Sequence, residues 1–162
     1  MNQNQFSHLD EGGAPRMVDV AGKQVTARRA VAEGWIKTTP ETAQAVLDGK
    51  VTKGSVLTTA QVAGIMAAKR TSDLIPLCHP LPLSAVEMAL EVDLALPGVR
   101  ARAEARVDAR TGVEMEALTA VSVALLTVYD MCKALDRAME VGGIRLLRKE
   151  GGKSGSWTRE RE

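Results

Sequence analysis

The chain has 162 residues, 45% of them apolar, and a formal net charge of +1. These values exclude a disordered polyelectrolyte and leave no global field for a polyanion, so any anion site has to be a local cluster of cations. Aromatics make up only 2%, which argues against a stacking surface for single-stranded nucleic acid, and two cysteines, Cys78 and Cys132, make neither a disulfide framework nor a tetrahedral zinc set.

The length suits one domain with a real core of Ala, Val, Leu and Met. Neither a signal segment nor a membrane-length apolar run is visible, so a soluble cytoplasmic protein without a membrane partner is expected. Residues 1–16 read as a flexible N-terminal arm, 17–149 as a single domain and 150–162 as a flexible, glycine-rich C-terminal tail. Met17 to Val20 is a short strand candidate, and Val25 to Ile36 is a second, with Gly34 as a possible bulge. Thr39-Pro40-Glu41 opens a helix that should end at Gly49: a hydroxyl cap, proline at the first position and an acid in the first turn. After Lys53-Gly54, Thr58 and Gln61 fit a capping box for a second helix with Val62, Ile65 and Met66 on its stripe, ending at Lys69–Arg70.

Lys69 to Pro82 follows, stiffened by Pro76, Pro80 and Pro82 into an extended, non-helical loop that carries Cys78 and His79. It is either a ligand site or a structural connection whose histidine hydrogen-bonds backbone. Val86, Met88, Leu90 and Val92 alternate with charged residues, Pro97-Gly98 turns the chain, and Ala101, Ala103, Ala105 and Val107 alternate again. That is an antiparallel hairpin with one dry face.

Thr111-Gly112-Val113-Glu114 reads as a second capping box, opening a long helix to about Met139. Met115, Leu118, Val121, Leu125, Val128, Cys132, Leu135 and Met139 form its core stripe. Its other side carries Glu116, Thr119, Val123, Leu126, Asp130, Lys133 and Arg137. Because Val123 and Leu126 sit in the middle of that side, it should be buried too, against a second subunit. Ile144 to Lys149 reads as a last strand. The order predicts an α+β fold: an antiparallel sheet with helices packed on one face, its last four elements resembling part of a ferredoxin-like unit.

Asp130 and Lys133, three apart on a helix, can touch. They are either an ordinary surface ion pair or, if that face is dry, an acid–base pair with shifted pKa values. Lys53, Lys69, Lys133, Lys149 and Lys153 stand near element ends or glycines, where several together would hold phosphates. Gly151-Gly152-Lys153-Ser154-Gly155 is not a Walker A loop, since Leu147 stands where a glycine is needed and no helix follows. Cys78, His79, Cys132 and His8 fit no metal-ligand spacing, so no resident metal is expected.

Several stretches carry a resemblance. They are Ser7-His8-Leu9-Asp10, Met17-Val18-Asp19-Val20, Lys53-Gly54, the run from Ala68 to Leu81, Gly112 to Thr119, and Tyr129-Asp130-Met131-Cys132-Lys133-Ala134. Together they resemble the MoaC family of molybdenum-cofactor biosynthesis, from Ser7 to about Ser156. The resemblance implies a ferredoxin-like fold with an added segment, residues 17–149 forming the catalytic domain. It implies a homohexamer, a trimer of dimers, with active sites at a subunit interface and no nucleic-acid partner. It implies a phosphorus–oxygen lyase that turns 3′,8-cyclo-7,8-dihydroguanosine triphosphate into cyclic pyranopterin monophosphate with loss of pyrophosphate. No cofactor is implied beyond Mg²⁺ accompanying the triphosphate. By the same resemblance Asp130, Lys53 and Lys133 are catalytic, and Leu77, Cys78, His79, Met115, Glu116, Lys69 and Lys149 bind substrate. The rival from another class is a non-catalytic nucleotide-binding protein on the same scaffold, which has no need to desolvate Asp130 and Lys133.

Overall fold

A computed structural model describes residues 12–160. In chain order they form β1 (Thr26–Lys37), α1 (Pro40–Leu47), α2 (Val56–Ala68), α3 (Thr71–Leu74), β2 (Ala85–Asp93), β3 (Gly98–Ala109), α4 (Glu114–Cys132), β4 (Glu140–Glu150) and β5 (Trp157–Thr158). The strands make one antiparallel sheet in the order β2-β3-β1-β4-β5. With α2 and α4 as its two crossovers, β1-α2-β2-β3-α4-β4 is the ferredoxin-like arrangement, to which α1 and β5 are added. The Ser7–Asp10 stretch, and most of the arm read over residues 1–16, lie outside the described residues.

Small side chains set the layer spacing. Across the β1–β3 pair, Ala30 faces Ala105, Ala32 faces Ala103, Gly34 faces Ala101 and Ile36 faces Val99. All are buried. Helix α4 lies across β1, β3 and β4 on this side, and α2 packs on α4 and β2. Val121, Leu125 and Val128 of α4 are buried in the core beneath it. Each such side chain contributes roughly 1.5–3 kcal/mol by leaving water. The opposite sheet face is a ladder of charges in which Glu104 accepts from both Arg29 and Arg106. Those guanidinium hydrogen bonds hold its carboxyl down to about 2.

The structure corrects several boundaries. Met17 to Val20 forms no strand; it is an irregular segment laid against the proline loop. The Lys69–Pro82 stretch holds one helical turn, α3, because the proline restriction first acts at Ile75, which is extended (φ −109°, ψ 108°) before Pro76. Neither capping box forms. Helix α2 starts at Val56, and Gln61 donates to the Met88 carbonyl; α4 begins after Val113 with no side-chain cap. The cap at Thr39 does form, its hydroxyl accepting from the Thr42 N–H (3.2 Å). The long helix ends at Cys132 rather than near Met139, because the following residues turn back towards β1. The glycine-rich stretch after Glu150 turns through Gly151 (φ 95°) and Gly152 (φ 75°) and returns as β5, pairing Lys149 with Trp157. By length and composition α4 could cross a membrane, but more than half of it is buried inside this fold.

A side chain at Gly34 has nowhere to go: a Cβ there would stand 2.9 Å from Val121 Cγ1 and 3.0 Å from Leu125 Cδ1. Gly34→Ala should therefore destabilise by about 1–3 kcal/mol, the usual cost of overpacking. Urea denaturation would read this as a lower midpoint with an unchanged slope, and an unchanged midpoint would contradict the packing described.

Candidate active site

Two groups of polar side chains stand out, at opposite ends of the α2–α4 pair. The first gathers where the proline loop meets the start of α4. Ile75 accepts from the Cys78 N–H (3.1 Å), and the loop then runs extended past Pro80 and Pro82. Val18, Val20, Leu77, Cys78, His79, Met115 and Glu116 line a cavity of about 420 Å³ there. His79 Nε2 lies 2.9 Å from the Val18 carbonyl. A carbonyl can only accept, so Nε2 carries a proton in this contact.

Glu116 is 4% exposed. Burial pushes its carboxyl up to about 6, with Glu114 adding to the rise. Burial, and secondarily Glu116, pushes the Cys78 thiol up as well, so Cys78 is not primed as a nucleophile.

Beside this cavity is a larger one of about 940 Å³, lined by Lys23, Arg28, Arg110, Lys149 and Lys153 among others. Glu114, Gly112 and Thr111 belong to both walls. Lys149 Nζ is 3.0 Å from Glu114 Oε1, at the seam. Arg28 is fixed by donating to the carbonyls of Ala109 (3.1 Å) and Arg110 (3.2 Å). Sequence spacing did not single out Lys23, Arg28 or Arg110. Only the β1–β3 register, with Thr26 opposite Ala109, brings the latter two together. Lys69 caps α2 nearby, in a groove with Leu81, which also borders the smaller cavity.

The second group is Lys53, Asp130 and Lys133. Lys133 Nζ donates to Asp130 Oδ1 (2.6 Å), and Lys53 Nζ reaches Asp130 Oδ2 (3.1 Å) and the Asp130 carbonyl (2.8 Å). One carboxylate is thus gripped by two ammonium groups. Lys133, then Lys53, holds the Asp130 carboxyl below the usual range, and Asp130 in turn raises Lys133. Within a single chain this trio is open to solvent, with the Asp130 side chain 59% exposed, and Leu126 on the same side of α4 is also 59% exposed. Of the side expected to be dry, Glu116 and Thr119 are buried and Val123 is half-buried, whereas Leu126, Asp130 and Lys133 are exposed within a single chain.

The two groups do not meet within one chain. Glu116 and Asp130 stand at opposite ends of α4, about 21 Å apart along its axis at a rise of ~1.5 Å per residue. Among the described residues no three His, Cys, Asp or Glu side chains come together to hold a metal ion.

A model of the MoaC family matches residues 17–152. Cyclic pyranopterin monophosphate synthase of Brucella ovis is 60% identical over 153 residues, covering 94% of this chain and 93% of that protein. Its namesakes from Brucella melitensis and Brucella canis are 60% and 59% identical over the same span.

Glu116 should leave a signature in stability. Its folded pKa, about 6, lies above the ordinary value of 4.5. The stability from its bound proton is therefore fully present below about pH 4.5 and is lost as pH rises through 6, a change of about 2 kcal/mol. Glu116→Gln should remove that part of the slope, so thermal melts at pH 4.5 and 7.5 should differ less for the variant than for the parent protein.

Proposed function

This chain belongs to the MoaC family, and we propose that it makes cyclic pyranopterin monophosphate in molybdenum-cofactor biosynthesis. The substrate is 3′,8-cyclo-7,8-dihydroguanosine triphosphate, and pyrophosphate is released. The observation that carries this reading is the grip of Lys53 and Lys133 on Asp130: a carboxylate kept ionised between two ammonium groups can accept a proton while its neighbours stabilise new negative charge.

Opening the purine's imidazole ring and rebuilding it as a pyrazine moves protons on and off nitrogen and carbon. Asp130 takes and returns them, with Lys133 as the cationic donor beside it. Closing the cyclic phosphate requires an oxygen of the sugar to attack the α-phosphorus while pyrophosphate departs. The departing group gains negative charge, which ammonium groups offset at close range. Lys149 and Lys53 serve that role, and the cavity lined by Arg28, Arg110 and Lys153 suits the triphosphate in size and charge. Any Mg²⁺ would come with the triphosphate. At the proline-loop end, Leu77, Cys78, His79, Met115 and Glu116 take the base. Glu116, itself buried at the wall of this half-buried cavity, hydrogen-bonds the guanine-type edge.

Because the two groups are too far apart in one chain, the working site is built from two protomers. The Asp130 end of one faces the proline-loop end of its partner, within a hexamer arranged as a trimer of dimers. Covering Val123 and Leu126 at that contact desolvates Asp130 and Lys133 and strengthens their interaction.

Incubating the protein with the cyclised precursor should yield cyclic pyranopterin monophosphate and one pyrophosphate per turnover. Precursor bound but returned unchanged would make the protein a binding module instead. Asp130→Asn should lower kcat by about 10²–10⁴-fold, the range for loss of an acid–base group. Co-expressing inactive Asp130→Asn with inactive His79→Ala chains should restore part of the activity in mixed oligomers. No restoration would mean that each chain carries a whole site.

A further inference from the structure

The reactive trio sits where helices are least ordered. Asp130 lies in the last turn of α4, which ends at Cys132, and Lys133 is already the residue that follows. The last carbonyls of a helix have no intrahelical partners, and its final turn frays unless something outside holds it. Here Lys53 holds the Asp130 carbonyl (2.8 Å), and beyond the helix end the tie is a second carboxylate, Asp136. Its Oδ2 accepts from the Thr38 hydroxyl (2.8 Å) and from the Thr39 N–H (3.2 Å), and its Oδ1 accepts from the Ala138 N–H (2.8 Å). Thr38 follows β1, and Thr39 caps α1. One side chain therefore joins the end of β1, the start of α1 and the chain leaving α4.

Met131 and Cys132 are buried and the Lys133 N–H bonds the Tyr129 carbonyl (2.9 Å), but from Ala134 onward the turn has little else to hold it. Leu135 and Asp136 both donate their N–H groups to the Cys132 carbonyl (2.8 and 3.2 Å), and the Tyr129 hydroxyl donates to the Arg137 carbonyl (3.1 Å). Leu135 itself is 56% exposed and anchors nothing. The Asp136 bonds are the ones that reach out of this turn to the sheet layer. The Thr38 hydroxyl, then the Ala138 N–H, hold its carboxyl below the usual range, so the tie is made by a charged group.

We propose that Asp136 is a positioning residue of the reaction: by fixing the turn after α4 to Thr38 and Thr39, it fixes where Lys133 points and so keeps the Lys133–Asp130 contact closed. This rests on the proposed role of that pair. Substrate binding at the proline-loop end does not involve Asp136, so its loss should be felt in turnover and not in affinity. A small displacement of a reacting group is enough to matter at that scale.

The test is Asp136→Ala, with Asp136→Asn and Thr38→Val alongside. Asp136→Ala should lower kcat at saturating precursor about tenfold while KM stays within twofold. Asp136→Asn, which keeps an acceptor oxygen for Thr38 and Thr39, should recover part of that loss. Thr38→Val, which removes one partner without altering the turn, should reproduce part of it. Independently of turnover, the Asp130 carboxyl followed by ¹³C NMR should titrate at higher pH in Asp136→Ala, because Lys133 is no longer held against it. An unchanged Asp130 titration, or a loss that appears in KM or only in melting temperature, would overturn the proposal. Failure of the parent protein to convert the precursor would count against the synthase reading alone, since the Asp130 titration still decides this one.

Discussion

The closeness of α4 to the sheet is the constraint on which the rest depends. Alanines and one glycine on the inner faces of β1 and β3 let the helix lie where larger side chains would hold it off. On its other flank Gly64 of α2 does the same, since a Cβ there would stand 2.9 Å from the Ala120 carbonyl. A helix seated so tightly cannot rotate or slide without making cavities or clashes. The middle of the helix is therefore fixed, and each end carries one cluster of polar groups. The start of α4 faces the proline loop and the ends of β3 and β4, and its last turn faces the start of α2.

The electrostatics of the two ends differ in kind. At the start of α4, a half-buried pocket raises the carboxyl of Glu116, and a neighbouring cavity concentrates cations in a protein whose charges otherwise nearly cancel. At the far end, an exposed carboxylate is held low by two ammonium groups. Two carboxyl groups on one helix are thus pushed in opposite directions by their surroundings, the pattern expected of groups with different tasks in the proposed reaction.

Leu126, 59% exposed beside the exposed trio, is the apolar surface that the proposed two-protomer site would cover. The added strand β5 turns the chain back so that Lys153 lines the basic cavity, and a segment that adds little to the core adds a cation to that wall.

What the sequence determined by itself was local. Alternation over Val86–Val92 and Ala101–Val107 specifies two half-buried strands. The three-and-four spacing of Val121, Leu125, Val128 and Cys132 specifies a core helix, and the run around Cys78 and His79 marks a stiff loop. Their spacing of three lets Asp130 and Lys133 come within reach of each other. Tertiary structure decided what is far apart in the chain or silent in pattern. Alanines 117, 120 and 124 are buried yet carry too little apolar surface to mark a face. Lys53 meets Asp130 only because α2 runs antiparallel along α4, and Arg28 meets Arg110 only through strand register. The helix stops at Cys132, and beyond it Asp136 meets Thr38 across the fold, a partner no local propensity could announce. Periodicity encodes which face of an element is dry; only packing in three dimensions sets which elements share an end, and that is where the site is made.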